Sequence, residues 1–372
     1  MLLSTNFEID PVKEGWTATA TETEDLPEWV SGDARTGSHY LQVSSGKWES
    51  PNFPIQRGAW YRLDFWYRGL GGEYVTLFQW DAAGNFIACD HYENVVAAAE
   101  WTQQSVYVRG TGEGVTGKVL FGPGWGTAEH RFQIDSMELN EVTVEETLAA
   151  MDARWATLPP LAWTVSADRF AQIPKAMAKL RSGGTVKLVM LGDSIINDTS
   201  SGPWELLVER QYPGAKIDLQ VSVRGGTGCW YYQDPEQLQE YVLRFAPELL
   251  WIGGISQGGN IEAIRSVIQQ TRAALPEIEI LLSTNSCGPF GDPRGNPEWS
   301  SRVDPEGDNW RSRVWHLAQE EHAAYIDMSG GWGTYMRNQD KPYEYYMRDV
   351  VHANDFGRLV LAKVIEAWFA PD

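Results

Sequence analysis

Val189-Met190-Leu191-Gly192-Asp193-Ser194-Ile195 is an apolar run that ends in Gly-Asp-Ser. Such a run reads as a buried strand whose last residues turn sharply into a helix, lifting a serine hydroxyl over the edge of the sheet. Towards the end of the chain comes Asp349-Val350-Val351-His352, which sets a carboxylate three residues before a histidine. That spacing lets the Asp side chain reach the far ring nitrogen. A serine hydroxyl is a weak nucleophile until a base takes its proton, and the base needs a third group to fix its tautomer. Ser194, His352 and Asp349 supply these three parts.

Outward from Ser194, apolar runs alternate with helical spacings. Strands are expected at Lys187–Leu191, Ile217–Val223, Leu249–Ile252, Ile278–Ser283 and Ala324–Asp327, and helices near Trp204–Gln211, Gln237–Phe245, Ile261–Ala274 and Asp308–His322. This alternation predicts a three-layer α/β domain with a parallel five-stranded sheet, its functional groups in loops beyond the strands' carboxyl ends. Two of those loops are glycine-rich: Arg224-Gly225-Gly226-Thr227-Gly228 and Gly253-Gly254-Ile255-Ser256-Gln257. Longer loops between Ser286 and Arg348 carry aromatics and charge, namely Pro289–Arg294, Gly330-Gly331-Trp332 and Tyr343–Tyr346. They precede Asp349 and are expected to wall a cleft, with Arg294, Arg348 and Trp332 suited to a polyhydroxylated substrate or, alternatively, to an interface.

Gly192-Asp193-Ser194 near the start of an α/β domain, with Asp349-x-x-His352 near its end, resembles the GDSL or SGNH hydrolases over residues 180–370. Asn354, Asp355, Phe356, Gly357 and an apolar helix from Leu359 to Phe369 follow the histidine, as is common in that family. The resemblance implies Ser194 as nucleophile, His352 as base and Asp349 as its orienting partner. It also implies an oxyanion hole from the backbone of Ser194, from Gly228, and from an Asn in a Gly-x-Asn-Asp motif. Here the chain departs from the pattern: the corresponding position holds Gln257 or, by a different count, Ser256. A plainer role for both is to cap the helix that follows.

Residues 1–142 have a different texture. Tyr61–Tyr67 and Val75–Trp80 alternate apolar and polar, and the latter turns through Asp81–Asn85 into Phe86–Cys89, a hairpin signal. Gln103–Arg109 and Gly117–Phe121 read as another pair, before Arg131–Leu139. Evenly spaced strands without helices predict an antiparallel β-sandwich. Asn6-Phe7-Glu8, Trp101-Thr102 and Phe132–Leu139 resemble jelly-roll carbohydrate-binding modules. That resemblance implies a sugar-binding surface and a structural calcium near Glu8 and Asp135. Candidate sugar platforms are Trp29, Trp48, Trp66, Trp80 and Trp125, set against the plainer reading that most are core. Trp125, in Gly122-Pro123-Gly124-Trp125-Gly126, is the loop candidate. Residues 143–180 join the halves as a helical linker, Val144–Leu158 and Ala167–Leu180, expected to pack on a catalytic domain spanning 181–372.

Composition narrows the partners. The formal net charge is −20, and residues 1–150 carry 22 Asp and Glu against 9 Lys and Arg, the remainder 28 against 21. An acidic surface argues against nucleic acid and anionic membranes, which need clustered Lys and Arg. No apolar run approaches the ~20 residues needed to span a bilayer. Met1–Thr5 lacks the basic end and apolar core of a signal peptide, so the expectation is a cytoplasmic chain, or a secreted one whose leader has been removed. Cys89, Cys229 and Cys287 show no metal-ligand spacing, and free buried thiols are expected, although Cys229 and Cys287 could lie near one another. The reading that follows is a cofactor-independent serine esterase that removes O-acetyl groups from a polysaccharide or oligosaccharide. A short-chain carboxylesterase or thioesterase is the rival enzyme, and a non-catalytic glycan-binding protein the rival from another class.

Overall fold

In the computed structural model the described residues are 1–20, 25–70, 73–123, 131–286, 291–295 and 302–371, with the side chains of 73, 88–90, 94 and 123 left aside. Trp125, Cys287, Pro289 and Phe290 lie outside the described residues, as does the side chain of Cys89. The chain divides into two compact units, Met1–Thr147 and Leu148–Asp372, each taken by itself.

The first unit is built from strands β1 (Leu3–Thr5), β2 (Thr17–Thr19), β3 (Glu28–Ser31), β4 (His39–Val43), β5 (Lys47–Glu49), β6 (Phe53–Pro54), β7 (Trp60–Gly69), β8 (Glu73–Trp80), β9 (Phe86–Val95), β10 (Ala98–Arg109), β11 (Thr116–Pro123) and β12 (Phe132–Val142). They form two antiparallel sheets, ordered β10-β7-β12-β4-β3 with β1 on β12, and β2-β5-β11-β8-β9 with β6 on β11. Alternation explains the layers: Tyr61, Leu63, Phe65 and Tyr67 of β7 point inward to meet Val75, Leu77, Val119 and Phe121 from the other sheet. The β8–β9 hairpin forms where its turn residues predict it, with Asp81 accepting from the N–H groups of Ala83 (2.9 Å) and Asn85 (2.8 Å).

The expected β10–β11 pair does not form. β10 pairs with β7 in one sheet and β11 with β8 in the other, so residues 110–115 cross between the layers. Val106 and Val108 still share one core with Val119 and Phe121. Inward alternation is the same for a hairpin and for an arch, and cannot distinguish them.

After α1 (Val144–Trp155) and α2 (Pro174–Arg181), the second unit alternates β13 (Thr185–Gly192), α3 (Ser194–Ser201), α4 (Trp204–Gln211), β14 (Lys216–Val223), α5 (Cys229–Tyr232), α6 (Pro235–Tyr241), β15 (Leu249–Ile252), α7 (Ile261–Ala274), β16 (Glu279–Ser283), α8 (Trp310–Glu320), β17 (Ala324–Ile326), α9 (Met328–Arg337) and α10 (Asp355–Phe369). The sheet is parallel, five-stranded and ordered β14-β13-β15-β16-β17. β15 and β16 are buried along their length and β13 and β14 over their carboxyl-terminal halves, which is why the central strands read as apolar runs. The later part of the expected linker belongs to this unit: Trp155 packs on Tyr335, and Arg169 donates to Trp368 O (2.7 Å) and Ala370 O (2.6 Å). The Glu279 carboxylate caps α2, accepting from Lys175 N (2.7 Å) and Ala176 N (2.8 Å). Residues 167–172, expected as the start of this helix, form turns instead.

Gly330-Gly331-Trp332, expected in a loop, lies in α9. A Cβ on Gly331 would meet Val364 Cγ1 of α10 at 2.5 Å, so the glycine is there for close helix approach rather than for a turn. No helix among the described residues is long and apolar enough to cross a membrane.

Candidate active site

The site is assembled where β13, β14 and β15 end. Ser194 is the first residue of α3, and Asp193 is its cap: one carboxylate oxygen accepts from Ile195 N at 2.9 Å. The other accepts from Ile255 N (2.7 Å) and Ser256 N (2.6 Å), so this buried Asp pins the loop after β15 to the serine turn. Ser194 itself stays partly exposed.

The 347–353 segment is a tight turn closed by an antiparallel bridge between Met347 and Ala353. Inside it, Asp349 Oδ1 accepts from Val351 N and His352 N, both at 2.8 Å. The same carboxylate meets His352 Nδ1 at 2.9–3.0 Å, and His352 Nε2 lies 2.9 Å from Ser194 Oγ. The structure therefore brings Ser194, His352 and Asp349 together in hydrogen-bond sequence. Burial pushes the Asp349 carboxyl up, but the imidazole and the two backbone N–H groups outweigh it and hold the group at about 2.

A second carboxylate, Asp198, lies one helical turn beyond Ser194 and is fully buried. It accepts from Ala353 N (3.1 Å), pairs with Arg348 Nη1 (3.1 Å), and lies 3.6 Å from Arg358 Nη2. Arg348 Nε is 4.0 Å from Asp349, and Arg358 Nη1 reaches Asp355 at 3.0 Å. This network ties the serine helix to the histidine turn and to α10. Sequence reading missed it; the available signal was Asp198 at the i+4 position from Ser194, which places both on one helix face.

The glycine-rich loops meet beside the serine. Gly228 lies so close to Ser256 and Gln257 that a Cβ would collide with the Ser256 carbonyl. Tyr232 donates to Gly192 O at 2.7 Å, which fixes α5 against the serine turn. The backbone N–H groups of Ser194 and Gly228 donate to no other described residue. Gln257 differs from expectation. It is 3 % exposed, gives an N–H to Gly253 O (2.8 Å) and accepts from Cys229 N (2.9 Å). It is a buried strut between loops rather than an amide turned to the serine. Nor does it or Ser256 cap the next helix, since Asn260 does so through Ala263 N (3.0 Å). Cys229 is buried and its thiol is pushed up by that burial, away from thiolate chemistry.

The expected cleft walls are mostly not walls. Trp332 is 0 % exposed, edge-on to Tyr343 and Tyr346, which are themselves buried. Arg348 is buried against Asp198. Arg294 turns to Asp292 (2.6 Å), which raises its already high pKa, and to Lys341 O (3.0 Å). The sequence does not show that α9 packs on α10, and it is this packing that turns the glycine-containing aromatic stretch inward.

In the first unit, Glu8 accepts from Ser38 N and His39 N, both at 2.7 Å, and Asp135 accepts from Thr36 N at 2.8 Å. The two carboxylates expected as calcium ligands thus converge on one loop. Calcium takes six to eight oxygens, whereas N–H and hydroxyl donors surround these two groups and satisfy them without a cation. Among the proposed platforms, Trp48 is core, Trp29 stacks on His39 (4.5 Å), and Arg35 covers Trp66 at 4.3 Å. Trp80 stays partly exposed beside Phe78 (6.2 Å) and Phe86 (6.1 Å), with Lys118 Nζ at 5.8 Å from its ring. It lines a hollow of about 400 Å³ together with Asn52, Asp81, Thr116 and Lys118.

No family model matches the chain, and no curated protein does. Solved structures are similar at low identity. A two-domain esterase active on acetylated mannans, crystallised with mannopentaose, aligns with a TM-score of 0.42 and 16 % identity, over 55 % of this chain and 56 % of that one. The aligned part therefore spans just over half of that esterase. A GDSL-like lipase from Parabacteroides merdae gives 0.36 and 16 % over 50 % of this chain and 96 % of that one. The CBM22-1 xylan-binding domain of Paenibacillus barcinonensis Xyn10C gives 0.29 and 14 % over 38 % and 94 %. At these values the likeness is one of shape, and function has to be read from the site.

Proposed function

We infer that this chain is a serine esterase that removes O-acetyl groups from a carbohydrate through an acyl-enzyme intermediate. The observation that carries the reading is the hydrogen-bonded sequence Asp349–His352–Ser194, with 2.9 Å between the base nitrogen and the hydroxyl. In this reading His352 Nε2 takes the Ser194 proton as Oγ attacks the ester carbonyl, then returns it to the departing alcohol. Water repeats the step to release the acid. Asp349 stays ionised and holds the imidazole with its Nδ1–H turned inward. The backbone N–H groups of Ser194 and Gly228 meet the oxyanion, and each such donor is worth about 100- to 1000-fold in rate. Gln257 contributes by fixing the distance between the two loops.

The carbohydrate part has its own support: a β-sandwich that presents the Trp80 hollow with amide, hydroxyl and ammonium groups beside an indole, a combination suited to sugar rings. Acetate release from acetylated xylan, pectin, mannan and peracetylated sugars, wild type against Ser194→Ala, tests the whole reading. Release that the substitution abolishes is expected. Cleavage of p-nitrophenyl acetate alone would leave a general esterase, and no serine-dependent release would leave a binding protein.

A further inference from the structure

Among the described residues of the second unit, only two large hydrophobic side chains are exposed: Trp230 at 47 % and Val350 at 80 %. Both flank candidate-site residues along the chain. Val350 sits between Asp349 and His352, and Trp230 is two residues after Gly228. A chain of hydrogen bonds also links the indole to the nucleophile. Trp230 Nε1 donates to Ser256 O at 2.9 Å, Ser256 N donates to Asp193 at 2.6 Å, and Asp193 immediately precedes Ser194. Tyr232, on the same short helix, is bonded to Gly192 on the other side of that turn.

An exposed indole is ordinarily free to choose among rotamers. This one has its polar edge tied to a backbone carbonyl, so its orientation is set before any ligand arrives, and contact with a ligand costs little further ordering. Trp332, Tyr335 and Tyr346 of this unit are buried and Tyr231, Tyr345 and Phe356 partly so, whereas Trp230 is left exposed.

We propose that Trp230 is the specificity-determining residue of the site, stacking on the saturated ring of the alcohol portion of the ester, with Val350 as the apolar lip on the histidine side. The proposal rests on the esterase reading above and deepens it. An acetyl group offers only a methyl to an apolar surface, so the area that covers an indole must come from the alcohol. A pyranose supplies it: its axial C–H groups make an apolar face the size of an aromatic ring.

The test compares kcat/KM for a mono-O-acetylated methyl pyranoside with kcat/KM for ethyl acetate, which has the same acyl group and no ring. In Trp230→Ala the pyranoside-to-ethyl acetate ratio is expected to fall about tenfold, chiefly through KM for the pyranoside. Trp230→Phe keeps a ring without the N–H, and should retain most of the ratio. An unchanged ratio in Trp230→Ala, whether or not both rates fall, would overturn the proposal, because the indole would then only prop the Ser256 loop. Wild-type cleavage of ethyl acetate without cleavage of any pyranoside acetate would overturn it together with the carbohydrate reading. Loss of Ser194 dependence for both substrates would overturn the esterase reading itself, and Ser194→Ala, assayed alongside, keeps that outcome distinct.

Discussion

Two fully buried acids, Asp135 in the sandwich and Asp198 in the α/β unit, are answered in opposite ways. In the sandwich, Asp135 is answered by the N–H and hydroxyl of one neighbouring loop residue, Thr36, and by Ser136 Oγ at 3.2 Å. In the α/β unit, Asp198 is answered by two arginines and a backbone amide that come from the turn and helix following the aromatic stretch. The first arrangement is a local fastening. The second makes the position of Ser194 and that of His352 depend on one carboxylate, so a fault there spreads to both. Buried ionic networks are costly to assemble and costlier to break. Finding one directly behind a serine and a histidine indicates that geometry, more than stability, is what it secures.

Substitutions should separate the two arrangements. Ser194→Ala should lower kcat by about 10⁴-fold or more while leaving the thermal midpoint where it was. If activity survives, the site is elsewhere. Asp198→Asn should lose both properties, because it strands Arg348 and Arg358: about 3–5 kcal/mol of unfolding free energy by urea titration, with activity falling alongside. A variant as stable as wild type would reduce the network to a local fastening like that of the sandwich.

Asp349 gives a pH signature with a definite sign. Its carboxyl is held at about 2 in the folded chain against an ordinary 3.8. The group therefore contributes stability that is complete above the ordinary value and is lost as pH falls towards 2. Relative to Asp349→Asn, wild type should lose about 2 kcal/mol between about pH 5 and pH 2. Parallel stability profiles for the two proteins would break this account of the carboxylate.

Smaller effects belong to the sandwich. Asp135→Asn can keep an acceptor on Thr36 N but turns an N–H towards the Thr36 and Ser136 hydroxyls, and should cost about 1 kcal/mol without touching kcat. Chelation with EDTA should leave the thermal midpoint unmoved, since hydrogen bonds already satisfy Glu8 and Asp135. A fall of several degrees that calcium restores would place a cation between them and overturn that assignment.

Several features could be read from the order of residues alone. The strands around Ser194 and the helices from Trp204, Ile261 and Leu359 follow from burial and period, because the buried part of a parallel sheet's strands is largely apolar and its covering helices are apolar on one face. Ser194, Asp349 and His352 were also legible, since an Asp-x-x-His turn and a strand-turn-helix serine are local geometries. Other features required contacts between segments distant in sequence. Whether β10 pairs with β11, whether Trp332 lines a cleft or fills a core, and whether Gln257 faces the serine or braces a loop all depend on what packs opposite. Residue type constrains what a side chain can do, but its partner decides what it does. For Asp198, Gln257 and Trp230 the deciding partners, Ala353, Cys229 and Ser256, lie 155, 28 and 26 residues away along the chain, so only the folded arrangement could assign their roles.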